Sequence, residues 1–283
     1  MKHYDIDCLD NRDPAAMDRA LNLARPILQA LFQPEVRGVP NVPQGAALYV
    51  GNHNSGKVMP ETYILASAVH AAFGLAAVPY GLGHELAIQV PGIHQLVMPL
   101  GAVRASHANA RRLFDRGDKV LVFPGSDLDT YRPFRHRDRI VFGNRRGYIR
   151  LALSCGVPLV PVVTSGAHET FYVIHDGRWI AQTLGLERLL RIKVWPLILS
   201  FPYGLTLGPI PPHLPFPSPV RMQILPPIRF AHSGPEAATD TEYVELCHRQ
   251  VHSAMQSALT QLERERASTR SMRLPRLREA LRT

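Results

Sequence analysis

Lysine is nearly missing from this chain. Among 283 residues only Lys2, Lys57, Lys119 and Lys193 occur, so the 32 basic residues are almost all arginine. Set against 23 acids they leave a formal net charge of +9. The planar arginine fork holds two oxygens at once. Such a balance favours nucleic acid, anionic lipid or phosphorylated substrates without choosing among them. Cysteine is scarce too: Cys8, Cys155 and Cys247 form no C-x-x-C pair and allow one disulfide at most. A reducing compartment is therefore expected. No apolar run reaches the length of about 18 residues that marks a spanning helix, and the opening MKHYDIDCLDNRD has acids where a signal peptide has its apolar core. Neither a spanning helix nor a secretory signal is expected, and membrane contact should be peripheral.

Several chemistries lack their motifs. There is no P-loop, no dinucleotide-binding glycine signature and no H-E-x-x-H. Ser165-Gly166-Ala167-His168-Glu169 is not the G-x-S-x-G of a serine-hydrolase elbow. His168 and His175 have no matching second ligand set, so no metal site is expected. Seven arginines lie between Glu263 and Thr283, a composition that can grip anionic lipid or RNA, or simply be solvated. Without RNP, zinc-finger or helix-turn-helix patterns, and without interleaved aromatics, nucleic acid is not an expected partner.

What is present is an alternation of helices and short β-rich runs, which places the chain among α/β folds. Residues 14–34 read as one or two helices, with Pro26 a possible kink site. Ala46–Val50 is the first clear strand, and Glu61–Phe73 a helix. Strands are also expected at Leu75–Tyr80, Val97–Val103, Lys119–Phe123 and Val157–Thr164. The two prolines of the last argue for an edge position or a strand start. Ser106–Arg116 and Arg145–Ser154 read as helices, Val220–Phe230 as a strand pair, and Asp240–Arg266 as an amphipathic helix. Residues 189–216 stand apart, rich in Leu, Pro and aromatics and almost uncharged after Lys193. They form either a loop-rich wall on the core or a surface that dips into lipid. The expected organisation is an N-terminal helical segment (1–35), one layered α/β domain with a mixed sheet flanked by helices (36–266), and a basic, flexible tail (267–283).

Chemistry concentrates at two strand ends. Gly51-Asn52-His53-Asn54-Ser55-Gly56-Lys57 follows the first strand, and Phe123-Pro124-Gly125-Ser126 follows another. His53 sits among small polar residues between two glycines that permit close approach. An imidazole titrating near about 6.5 accepts a hydroxyl proton at physiological pH. The alternative is a loop histidine that caps a turn. Glu61, eight positions on, is the best-placed carboxylate to orient that ring, or else a favourable first-turn acid. Backbone donors of the 123–126 loop, with Ser126, can hold an anion or an oxyanion, or merely turn the chain. Arg104 and Lys57 are candidate phosphate ligands or exposed charges. Asp127, Asp129, Arg132, Arg135, Arg137 and Arg139 make a segment that either meets a headgroup or is salt-bridged surface, and Arg145-Arg146 repeats the basic theme.

The order of these pieces over residues 36–170 resembles the glycerolipid acyltransferase superfamily. The family's first motif is Asn-His after a strand, with an aspartate five residues beyond the histidine. Asn52, His53 and Ser55 match in kind, while the fifth position is Val58. A divergent branch with a later Pro-Asp pair is closer, and Pro60-Glu61 stands in its place. Gly101 and Arg104 resemble the second motif, whose arginine serves the acceptor phosphate. Phe123-Pro124-Gly125-Ser126 resembles the third without its glutamate, and Asp129 fits the acid of the divergent branch. Arg145-Arg146-Gly147 resembles its later basic-glycine run, and Val157-Pro158-Leu159-Val160-Pro161 the fourth motif. The resemblance implies direct transfer of a fatty acyl group from acyl-CoA or acyl carrier protein to a lipid hydroxyl. His53 would be the base and Glu61 its orienter. Lys57, Arg104, Asp129, Arg145 and Arg146 would serve the acceptor, with no permanently bound cofactor and an anionic membrane surface as partner on the cytoplasmic side. A lipid-binding protein that lost catalysis, or a lipid hydrolase, would share these features.

Overall fold

The computed structural model describes residues 3–280 except 55, 57, 191 and 209–212, with side chains described for all of these but 189–190 and 269–280. Its strands are β1 (Glu35–Arg37), β2 (Ala47–Gly51), β3 (Tyr80–Gly83), β4 (Ala102–Arg104), β5 (Lys119–Val122), β6 (Leu159–Ser165), β7 (Tyr172–His175), β8 (Leu197–Ser200), β9 (Gly204–Leu207) and β10 (Arg221–Ile224). The α-helices are α1 (Pro14–Phe32), α2 (Pro60–Phe73), α3 (Glu85–Ile88), α4 (Ile93–Val97), α5 (His107–Asp115), α6 (Ser126–Thr130), α7 (Gly147–Cys155), α8 (Arg178–Thr183), α9 (Leu186–Leu190), α10 (Pro235–Thr239) and α11 (Thr241–Ala280).

A mixed seven-stranded sheet in the order β1-β10-β6-β2-β5-β3-β4 forms the centre. Only the β10–β6 pair is antiparallel. A sheet covered on both faces needs apolar residues at every position, and β2 is buried throughout. Its side chains alternate between two cores. Leu48 and Val50 join Val120, Leu113, Ile149 and the α11 residues Val251, Met255 and Leu259. Ala47 and Tyr49 join Met17 and Phe32 of α1 with Ile64 and Leu65 of α2. Each such aliphatic side chain contributes about 1.5–3 kcal/mol on burial. The result is three layers: α1 and α2, then the sheet, then α5, α7 and α11.

Local signals set most boundaries. Asp13 caps α1 by accepting the Ala15 and Ala16 N–H groups, and Ser106 caps α5 through Asn109 N–H. Gly156, at φ +63°, ends α7. Pro26 lies inside a single helix.

Four expectations change. The strand expected at Leu75–Tyr80 begins only at Tyr80, because residues 75–77 form a 3-10 turn. The prolines do not put β6 at an edge: it is central, between β10 and β2. Pro161 lies just past the end of the β10 pairing, and its carbonyl still accepts Leu225 N–H at 2.9 Å. Residues 189–216 are not merely loop, since β8 and β9 pair with β7 in a separate three-stranded sheet. Helix α11 passes through the boundary expected at residue 266 and runs to Ala280.

Candidate active site

Strands β2, β5 and β6 are parallel neighbours, with Val50 opposite Val122 and Gly51 opposite Val162. The loops after them therefore meet at one end of the sheet, where open α/β sheets place their ligands. Asn52 extends β2 beyond its last strand residue. Its side-chain amide donates to Thr164 O and accepts from Thr164 N–H, both at 2.8 Å, and so imitates one more ladder step against β6. His53 follows directly and is anchored through its own N–H, which donates to Asp129 Oδ2 at 2.6 Å.

The imidazole Nδ1 of His53 lies 3.0 Å from Glu61 Oε1, and the same oxygen accepts the Asn54 N–H at 3.1 Å. Glu61 is the second residue of α2, so the partial positive charge of the helix N-terminus favours its carboxylate. It is almost wholly buried, whereas the His53 side chain keeps 14% of its surface open. With Nδ1–H donated to Glu61, the lone pair is left on Nε2, the arrangement of a base with a fixed tautomer. The Phe123 ring lies on His53 with centroids 4.9 Å apart.

Gly51 is what lets that ring in. A Cβ at this position would come within 2.6 Å of Phe123 Cε1, closer than carbon atoms tolerate. Gly51→Ala is accordingly expected to cost about 1–3 kcal/mol of stability and to lower turnover by displacing the ring that supports His53. Thermal melting and steady-state kinetics of the variant check both. A position occupied by glycine at 125 has a similar origin. A Cβ there would lie 2.2 Å from Asp129 Cβ, so Asp129 fills the space a longer residue would need.

Several expected ligands have other work. Asp129 does not face an acceptor. It is fully buried and accepts from His53 N–H, from Val141 N–H at 3.0 Å and from Arg132 at 3.1 Å. Burial pushes its carboxyl above the usual range, and the Arg132 guanidinium and the two backbone donors oppose that shift. Arg145 is tied to Asp127 at 2.7 Å and to the carbonyls of Pro124 and Gly125, so it braces the 123–126 loop. Arg146 reaches Glu245 on α11 at 2.7 Å instead. Arg104 ends β4, three strands from β2 in the sheet order, or roughly 14 Å at the usual strand spacing. Asp7 holds its Nε at 2.8 Å and its Nη2 at 2.6 Å, an occupied fork rather than an open one. Ser126 N–H already donates to Phe123 O at 3.1 Å, so it is no oxyanion donor, while no described residue takes the Gly125 N–H. Lys57 and Ser55 lie outside the described residues.

Arg132 is the residue that sequence reasoning undervalued. The mixed-charge segment is divided: Arg135 and Arg139 are exposed, whereas Arg132 and Asp129 are wholly buried. It donates to His53 O at 2.9 Å, Asn54 Oδ1 at 2.6 Å, His136 O at 3.2 Å and Arg137 O at 3.0 Å, besides Asp129. One guanidinium thus stitches the His53 loop to the segment after β5. His168 completes the frame, with ring nitrogens 2.9 Å from Asn54 O and from Arg132 O. Burial beside Arg132 holds this imidazole neutral, well below its usual range. A neutral ring donates to one of the two carbonyls. Nothing in a row of alternating Asp and Arg distinguishes the buried pair from its exposed neighbours. The nearest signal was Asp129, singled out by position.

The acyltransferase family model matches residues 33–165. An uncharacterized protein of Mycobacterium tuberculosis is 28% identical over 245 residues, which is 85% of this chain and 65% of that protein. The chain thus spans somewhat under two thirds of the mycobacterial relatives it matches. A Mus musculus protein, the DGAT1/2-independent enzyme synthesizing storage lipids, is 24% identical over 144 residues, covering 48% of this chain and 40% of the mouse enzyme. The crystal structure of PlsC, the 1-acyl-sn-glycerophosphate acyltransferase of Thermotoga maritima, superposes with a TM-score of 0.55 at 17% identity, over 87% of this chain and 79% of that one. The matched residues include β2, the His53 loop, Glu61, the 123–126 loop and all of β6. Over those residues, a little under half of its length, the chain is similar to the acyltransferase family, and its fold is similar to that of PlsC.

Proposed function

We propose that the chain transfers a fatty acyl group from acyl-CoA or acyl carrier protein to a lipid hydroxyl, with His53 as general base and Glu61 as its orienter. The observation that carries this reading is the 3.0 Å contact between His53 Nδ1 and the buried Glu61 at the carboxyl end of β2. Nε2 takes the proton of the acceptor hydroxyl as its oxygen attacks the thioester carbonyl. Glu61 stabilises the imidazolium that forms. The Gly125 N–H, which no described residue accepts, would serve the developing oxyanion. Collapse of the tetrahedral intermediate breaks the C–S bond, and the imidazolium returns its proton to the leaving thiolate. Both lipid substrates favour a bilayer, so the reading carries peripheral association with a membrane surface.

The acceptor is a lysophospholipid or a related lipid alcohol. Because Asp7 occupies Arg104 and the Arg145 and Arg146 side chains are also paired, an acceptor without a phosphate, such as a diacylglycerol, is the second reading. The test supplies a mixed pool of acyl thioesters with lysophosphatidate, other lysophospholipids and diacylglycerol, and identifies products by mass spectrometry. An acylated lipid names both substrates. Free fatty acid released at the same rate with and without acceptor means hydrolysis instead, and binding without turnover means a lipid carrier.

Glu61→Gln keeps the shape but removes the charge that stabilises the imidazolium. Turnover is expected to fall about 10²- to 10³-fold, with KM for either substrate little changed. A rise in KM with unchanged kcat would assign Glu61 to substrate binding.

A further inference from the structure

An antiparallel sheet that covers a core with one face normally turns polar residues to water with the other. The β7-β8-β9 sheet does not. Val173 and Ile198 point inward and pack with Phe171, Leu128 and Tyr131. On the opposite face Tyr172, Leu199 and Leu205 stand side by side across the three strands, with Leu207 beside them. Their exposures are 43%, 45%, 62% and 59%. The turn joining β8 to β9 adds Phe201 and Tyr203, 56% and 43% exposed. From Pro196 to Gly208 the chain holds no charged residue. Contiguous apolar surface of this kind marks an interaction site.

We infer that this face is where the protein docks on a lipid bilayer bearing anionic headgroups. It rests on the acyltransferase reading only in that the lipid substrates arrive from the same bilayer. Three observations select a membrane over a protein partner. The protruding turn pairs Phe201 with Tyr203, and Tyr172 lies in the apolar row; tyrosines with an apolar body and a polar tip suit the headgroup boundary. The flanks carry two exposed arginines, Arg135 and Arg188, with no carboxylate partner among the described residues, while Arg178 and Lys193 are paired with Asp176 and Glu187. The face is also continuous with the candidate active site. Phe134 stacks on Tyr172 at 4.3 Å and on His168 at 6.5 Å, and His168 bonds the His53 loop. Lys193 N–H donates to Asp127, which Arg145 ties to the 123–126 loop. A bilayer seated on this sheet would therefore lie beside both loops that form the site.

The experiment is cosedimentation of the full chain with vesicles of phosphatidylcholine, alone or mixed with phosphatidylglycerol. Wild type is expected to bind the mixed vesicles. The triple variant Phe201→Ser, Tyr203→Ser, Leu205→Ser is expected to lose at least about tenfold in apparent affinity, with an unchanged melting temperature and unchanged turnover of a short, water-soluble thioester. Arg135→Gln with Arg188→Gln should reduce the preference for anionic vesicles about fivefold per charge. Wild type that fails to bind, or a folded triple variant that binds as well as wild type, overturns the proposal. So does a triple variant whose only change is from dimer to monomer by light scattering, since the face would then join two copies of the chain. Vesicle binding is read without turnover: a protein that binds but transfers no acyl group sinks the functional reading and leaves the docking face standing.

Discussion

Replacing His53 by alanine is expected to lower acyl transfer by roughly 10²- to 10⁴-fold, the range a positioned general base supplies. At about 1.4 kcal/mol per factor of ten, that is about 3–5 kcal/mol of lost transition-state stabilisation. The loss should fall on kcat, because the imidazole acts on a proton that moves only during attack. The fold should survive, since Glu61 keeps the Asn54 N–H and the anchor from residue 53 to Asp129 is a backbone donor. Single-turnover rates with saturating donor and acceptor, read beside a melting curve, make the measurement. Turnover within about threefold of wild type would end the assignment of His53 as base. It would leave a lipid-binding protein of the same fold as the better account.

Arg132→Ala is expected to cost about 3–5 kcal/mol of stability, the penalty for leaving one member of a buried ion pair alone. The Asp129 carboxylate would lose its countercharge while remaining fully buried. The carbonyls of His53, His136 and Arg137 and the Asn54 side chain would lose donors at the same time. For a chain of this size a shift in melting temperature of roughly 10 °C follows. Activity should fall further than unfolding explains, because the guanidinium ties the His53 loop to the segment after β5. Replacing Arg132 by methionine and Asp129 by leucine together should be less damaging than Arg132→Ala, since no buried charge is then stranded. Chemical denaturation of the three proteins orders them. A single variant as stable as wild type would mean that water or a rearranged loop replaces the guanidinium.

Much was legible without coordinates. Apolar runs such as Ala46–Val50 and Lys119–Phe123 announced strands because nothing but a doubly covered sheet accommodates them, and Ser106 and Gly156 marked helix ends through local backbone chemistry. The pairing of His53 with Glu61 was within reach because eight residues of loop can turn back on a helix start. The acceptor ligands were not. Arg104, Asp129, Arg145 and Arg146 look alike on paper, and only their partners Asp7, Val141, Asp127 and Glu245 distinguish an open fork from a structural brace. Those partners lie up to about a hundred positions away in the chain.

The order of residues by itself determined an α/β chain with a histidine exposed after one strand, a carboxylate within its reach and a glycine turn after another, since each depends on neighbours a few positions apart. Only the tertiary structure decided that β2 lies between β5 and β6, that one arginine out of a charged run is buried behind the histidine, and that the small sheet turns leucine and tyrosine outward. Strand order and burial are set by contacts between distant segments competing for one interior, and no local pattern carries that information.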